Sequence, residues 1–374
     1  MNRPQLSRCR GMFAALCATA IAAPAAAATV EWPDPVSSPA EAMPLATRSL
    51  LLDAARTAQG YVAVGDRGHV LLSTDGRSWT QSADVPVRVM LTAVAARGDA
   101  LWAVGHEGVI VHSSDGGRHW VVQHRDTYDA KGTAASDDPR HGAPLLDVLF
   151  TDDRHGIAVG SYSRLLVTRD GGVTWNAETL AVAPAPPAGA AAAPGAGEAV
   201  GEATGEESMV FSKDELALGE ESDPHLNAIA RTGNGSLMIL AERGSAFRSR
   251  DDGATWQRIR LPYDGSMFGA IGYEGDRVLA YGLRGHVFET TDLGDHWTER
   301  ASGTEQGLMG GSALDGEGAV LVGANGVVLA RRGGEEAFRP MVQPAAGVIA
   351  GALALDGKRL LLVGENGIGE VELP

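Results

Sequence analysis

Five segments set a hydroxyl, a carboxylate, a glycine and an indole at nearly fixed spacing. They are Ser113 to Trp120 (SSDGGRHW), Thr168 to Trp175 (TRDGGVTW), Ser249 to Trp256 (SRDDGATW), Thr290 to Trp297 (TTDLGDHW) and, one residue shorter, Ser73 to Trp79 (STDGRSW). Two chemistries suit such a pattern. Calcium binding is the first, but Asp251-Asp252-Gly253 is a turn without the ligand loop of a calcium hand. The second is structural: an Asp accepts backbone N–H groups across its own turn, the Gly takes positive φ, and the Trp covers apolar surface between sheets. Asp75, Trp79, Asp115, Trp120, Asp170, Trp175, Asp251, Trp256, Asp292 and Trp297 are therefore read as structural.

A second set of residues has binding chemistry. Each box is preceded by a tight turn, and the second residue after the first position of that turn reads Arg67, Glu107, Tyr162, Arg243, Arg284, Asn325 and Asn366, with Arg164 close by. Guanidinium groups match carboxylate geometry, so arginines around one rim form a candidate carboxylate-binding ring. Catalytic patterns are missing. His106-Glu107 does not open an HExxH motif, and no phosphate-binding loop or GxSxG elbow occurs. The His residues lack metal-ligand spacing. We expect no enzyme activity, metal or cofactor.

These residues must be positioned by a repeat. The first position of the turn falls at Gly65, Gly105, Gly160, Ala241, Gly282, Gly323 and Gly364, at intervals of 40, 55, 81, 41, 41 and 41 residues. Within a unit, Leu91 to Ala96, Ala100 to Val104, Val109 to Ser113 and Trp120 to Gln123 are short apolar or alternating runs split by turns, hence strands. Four strands per unit and seven units predict an all-β, seven-bladed propeller over 29–374. The sixth box is decayed, ARRGGEEAF from Ala330 to Phe338, with Arg332 where Asp is expected. The seventh unit shows three strands, Gly347 to Leu355, Arg359 to Val363 and Ile368 to Leu373. An open edge there is a liability. We expect Val30 to Trp32, or a neighbouring segment before Pro44, to supply the outer strand.

Two insertions, about 124–144 and 181–225, join strand four of one blade to strand one of the next. They share the rim with the tight turns over blades two to four, opposite the boxes, and we expect a partner to bind there, as loops on a rigid scaffold commonly do. The second holds nine carboxylates against Lys213 between Glu198 and Asp223, much of a formal net charge of −16. A short helix is possible around Met209 to Leu218, with Ser212 and Glu215 as a capping box. Residues 1–28 read as a signal peptide: Arg3, Arg8 and Arg10, an apolar run from Gly11 to Ala23, then Ala26-Ala27-Ala28. Both cysteines, Cys9 and Cys17, lie within it. The expected product is exported, periplasmic or secreted, without disulfides and without membrane insertion after cleavage. Its negative charge disfavours nucleic acid.

The boxes resemble those of the BNR or Asp-box propellers. The longer phrases GYVAVGDRGHVLLSTDG, ALWAVGHEGVIVHSSDGGRHW and HGIAVGSYSRLLVTRDGGVTW resemble the photosystem II stability and assembly factor family, from about Leu45 to Pro374. That resemblance implies a seven-bladed, non-catalytic scaffold on the lumenal or periplasmic side, a monomer binding a protein partner in a membrane-associated complex. Asp boxes also occur in sialidases, so a glycan-processing or glycan-binding propeller is the alternative. Arg258-Ile259-Arg260, however, follows a box rather than preceding one, and no Tyr and Glu pair stands out.

Overall fold

The computed structural model describes residues 34–126, 138–180, 223–341 and 347–373. Residues 1–28 with both cysteines, Val30 to Trp32 and Met209 to Leu218 lie outside them. The apolar runs fold as seven antiparallel sheets over 51–81, 91–124, 145–177, 226–260, 267–299, 308–341 and 349–372. Among the described residues the first six have four strands in chain order, and the seventh has three, Ile349–Ala354, Arg359–Gly364 and Gly367–Glu372. First strands pack against first strands around an axis, and Ile349–Ala354 lies beside Leu51–Thr57, which closes the ring. The chain is a seven-bladed β-propeller.

Its core is divided among seven apolar clusters, one at each interface between blades. The second strands supply much of each cluster; Val62, Ala63 and Val64 of blade one are fully buried, serving the neighbours on either side. No strand exchange closes the ring among the described residues. Leu51, Ala63 and Leu71 pack on Leu355, Leu361 and Val363, Arg56 Nη2 donates to the carbonyls of Ala354 and Leu355 at 2.8 Å, and the Tyr61 hydroxyl donates to Leu355 O at 3.1 Å. The expected outer strand for blade seven does not come from residues 34–43. Ala40 N bonds Val85 O, Arg88 N bonds Pro35 O, and Met43 N bonds Gln81 Oε1, so this stretch lies against blade one and its link to blade two.

The boxes are hydrogen-bonded turns. In blade three, Thr168 Oγ1 donates to Asp170 Oδ1 and accepts from Gly172 N, both at 2.8 Å, while Asp170 accepts from Thr174 N at 2.9 Å and from the Thr174 hydroxyl at 2.6 Å. Blades two, four and five repeat this with Ser113/Asp115, Ser249/Asp251 and Thr290/Asp292. The short first box keeps Ser73/Asp75. The Thr174 hydroxyl and amide hold the Asp170 carboxyl at about 2, and His119 holds that of Asp115 well below the usual range.

Blade six departs from the rule, and the strand register corrects its alignment by one residue. Ala319 pairs Arg331 as Val278 pairs Thr290. Arg331 therefore occupies the Ser/Thr position, Gly333 rather than Arg332 the Asp position, and Phe338 the Trp position. Arg331 is 2% exposed and pairs Glu289 of blade five at 3.0 Å, with its guanidinium carbon 5.2 Å from the Phe338 ring centroid. Arg300 joins at 2.6 Å, and Arg277 also pairs Glu289. Burial pushes the Glu289 carboxyl up, but the guanidiniums outweigh it and hold the group at about 2. Removing one partner of such a network strands a buried charge. Glu289→Ala is expected to lose about 3–5 kcal/mol in chemical denaturation, and Glu289→Leu with Arg331→Met much less.

Candidate functional site

The rim is made of the turns between strands two and three. Where the first position is Gly, a Cβ would strike the carbonyl at the entrance to strand one, for example Leu50 O at Gly65 and Pro144 O at Gly160. The next amide bonds that same carbonyl: Asp66 N to Leu50 O at 2.9 Å, His106 N to Met90 O at 3.0 Å, Leu283 N to Ser266 O at 3.0 Å. Ala241 is the exception, and the corresponding bond, Glu242 N to His225 O, stretches to 3.3 Å.

The next residue takes the left-handed conformation: Arg67, Glu107, Tyr162, Arg243, Arg284 and Asn325 have φ between 53° and 57°. A side-chain-bearing residue pays about 1–2 kcal/mol there. The cost is tolerated because the surrounding hydrogen bonds over-determine the turn. These six, and Asn366 of blade seven, are exposed. The arginines do not form a continuous ring. Arg243 and Arg284 stand on adjacent blades four and five, while Arg67 is on blade one with its Nε 3.6 Å from Asp66. Tyr162 of blade three extends the first sector, 42% exposed, its ring centroid 5.0 Å from that of His225. On blade five Leu283 is exposed beside Arg284, and Tyr263 lies against His286 at 4.1 Å.

Arg164 belongs to the scaffold. It is 6% exposed, forks onto Asp126 at 2.5 and 2.8 Å, and donates to the carbonyls of Arg140 and Ala143. Burial works to raise the Asp126 carboxyl, yet Arg164 and the Gly142 amide hold it below its usual value. This clamp draws both described ends of the first insertion onto the rim, and Asp126 N bonds Glu107 O. Only Asp223 to His225 of the second insertion's later part are described; Pro224 O accepts from Ser163 N at 2.8 Å.

Inside the rim lies an axial cavity of about 240 Å³, lined by Leu52, Thr92, Phe268, Met309, Asp53 and Asp147 among others. Neither carboxylate belongs to a catalytic or metal-binding motif, although LLDA from Leu51 and LLDV from Leu145 repeat one phrase that places an acid among apolar residues. Asp53 accepts Ala54 N and, across the blade boundary, Val94 N, both at 2.8 Å; Asp147 accepts Val148 N at 2.7 Å and Ile229 N at 2.8 Å. Each therefore stitches one blade to the next. Burial raises Asp53 from 3.8 to about 6 and Asp147 to about 7, and for Asp147 the charge of Asp53 adds to the rise. The buried Tyr281 hydroxyl, facing both acids, is pushed up as well. Among the described residues no group of three His, Cys, Asp or Glu is placed to hold a metal.

The sign follows from linkage. The folded state holds these two protons more tightly than the unfolded chain, so the stabilisation is complete below about pH 4 and lost as pH rises through 6 and 7. Asp53→Asn with Asp147→Asn fixes the neutral form. We expect the fall in Tm between pH 5 and pH 8 to shrink by about 2 °C or more, read by calorimetry across that range.

Comparison with known proteins bears on the whole arrangement. A family profile described as photosynthesis system II assembly factor YCF48 matches residues 33–127. The photosystem II assembly lipoprotein Ycf48 of Parasynechococcus marenigrum (strain WH8102) is 57% identical over 35 residues, 9% of this chain and 10% of that relative, so the match spans a tenth of the relative's length. The solved structure of YCF48 bound to D1 peptide superposes with a TM-score of 0.58 at 15% identity, covering 91% of this chain and 98% of that one. YCF48 from Cyanidioschyzon merolae gives 0.58 at 16% identity over 87% and 96%. At such identities the superpositions speak for the fold. The chain thus resembles the photosystem II assembly-factor propellers, in sequence through its first two blades and in fold through about nine-tenths of its length.

Proposed function

We propose that this protein is a monomeric, non-catalytic scaffold of the assembly-factor type. Its partner is a protein of a membrane-associated complex on the exported side of the membrane, bound through the rim sector of blades three to five. The observation that carries the reading is the presentation of Tyr162, Arg243 and Arg284 at the tips of left-handed turns on consecutive blades. Such tips are rigid, so a partner's carboxylates meet guanidiniums without the cost of ordering a loop. The exposed Tyr162 on the neighbouring blade three supplies apolar contact beside them. The solved relative with a D1 peptide shows that a propeller of this shape takes a protein segment.

Hydrolysis finds less support. The two axial carboxyls with raised affinity for protons each take a backbone amide on either oxygen and so serve to join neighbouring blades. Export is supported by the signal-like residues 1–28 and by a relative that is a lipoprotein. Among the described residues no helix is long and apolar enough to cross a membrane.

The test is charge reversal. Arg243→Glu with Arg284→Glu is expected to weaken recovery of the membrane partner from detergent-solubilised membranes by about tenfold, with Tm unchanged. Undiminished recovery by the double variant sinks the rim assignment. Glycan release from fluorogenic glycosides by the wild type would favour the hydrolase instead.

A further inference from the structure

The axis carries polar groups that the rim does not use. Strand register gives Asp53, Asp147 and Gly269 the same position in the first strands of blades one, three and five, opposite Val64, Val159 and Tyr281 of the second strands. On blade five the phenol takes the room that the missing side chain leaves, since a Cβ on Gly269 would strike the Tyr281 hydroxyl. Tyr281 is 4% exposed and lines the axial cavity with the two acids, and its hydroxyl takes no hydrogen bond among the described residues. Ser312 of blade six lines the same cavity, and its buried Oγ also lacks a partner among the described residues. A buried hydroxyl left unpaired costs about 1–3 kcal/mol, so two on one cavity point to an occupant that pairs with them.

The carboxyls set the charge of that occupant. Each accepts two amides, which leaves about two of its four lone-pair positions open. Among the described residues that line the cavity none is Lys, Arg or His, so the acids meet no cation there, and burial makes them hold protons near neutral pH. One residue earlier in the first strands, toward the rim, the wall turns apolar with Leu52, Leu146, Phe268 and Met309, the last of them 39% exposed. Thr92 and Asn227 at this level spend their donors on the carbonyls of Leu145 and Met267.

Calcium and magnesium suit this wall poorly, because they want six or more oxygens or the waters that an apolar collar excludes. An ammonium on a short alkyl chain suits it well: its three N–H donors meet carboxyl and hydroxyl oxygens while its carbons meet the collar. We propose that the axial cavity binds a primary alkylammonium group, with Asp53 and Asp147 as counter-charges, the Tyr281 hydroxyl as a further acceptor and Leu52, Phe268 and Met309 around the alkyl chain. The group belongs to a free small amine or to a lysine side chain presented at the rim. A cavity of about 240 Å³ is smaller than drug-sized pockets and matches either. This site goes beyond the rim reading and does not rest on it.

The probe is n-butylammonium chloride, titrated into the full-length protein at fixed ionic strength and followed by calorimetry in two buffers of different ionisation heat. Saturable binding is expected, with release of about one proton at pH 6, because the carboxyls must give up protons that burial lets them keep. The amine stays charged throughout, so affinity is expected to rise about tenfold or more from pH 5 to pH 8. Tyr281→Phe removes a hydroxyl and no described hydrogen bond, and is expected to weaken binding about tenfold at unchanged Tm. Asp53→Asn with Asp147→Asn is expected to abolish it. A blocked pentapeptide with a central Lys that competes with the amine assigns the site to a lysine side chain, and its failure beside the amine's success assigns it to a free amine. Equal binding of n-butanol, displacement by calcium, undiminished binding by the double Asn variant or no saturable heat with the wild type overturns the proposal. So does binding confined to Lys131→Gln with Lys213→Gln, which gives the cavity to a lysine of this chain.

Discussion

The rim depends on a close approach of two backbones. At six of the seven turns the first residue is a glycine because the entrance to the innermost strand lies where a Cβ would stand. The approach ties the turn to the wall of the axis through one amide–carbonyl bond, and that bond fixes the residue at the tip. Blade four shows what one methyl does: with Ala241 in the glycine's place the bond lengthens to 3.3 Å. A turn held so firmly can keep Arg67, Arg243 or Arg284 in a conformation that a free loop would abandon. The posture of the rim tips is thus a consequence of the glycines beneath them.

The box face solves a different problem, that of seating one blade on the next, and uses two physical means. Five boxes employ a hydroxyl and a carboxylate that satisfy the turn's own amides near solvent, an arrangement whose Asp residues stay ionised far into acid. Between blades five and six the same work falls to a buried carboxylate among three guanidiniums, with Phe338 in the place of an indole. A buried network of this kind is specific rather than intrinsically strong, since desolvation offsets much of the attraction. The axial acids run the other way, favouring the folded state when neutral. Their opposite signs mean that acid weakens the boxes while it relieves the axis.

Much of this was legible in the residues. A phrase repeated at a 41-residue interval could only be a stacked or closed array, and the Gly and Asp-Gly spacing set strand lengths too short for anything but blades. The tips of the rim turns followed from the same spacing. Pairing is what the spacing did not contain. Arg164 reads as a rim arginine until the insertion folds back and Asp126 takes it; Arg331 and Glu289 lie 42 residues apart and meet only across a blade boundary. The sixth box was misaligned by one residue because its consensus had decayed, and only strand register restores it. The missing outer strand of blade seven points to a segment before Pro44, and tertiary hydrogen bonds carry residues 34–43 of that stretch to blade one.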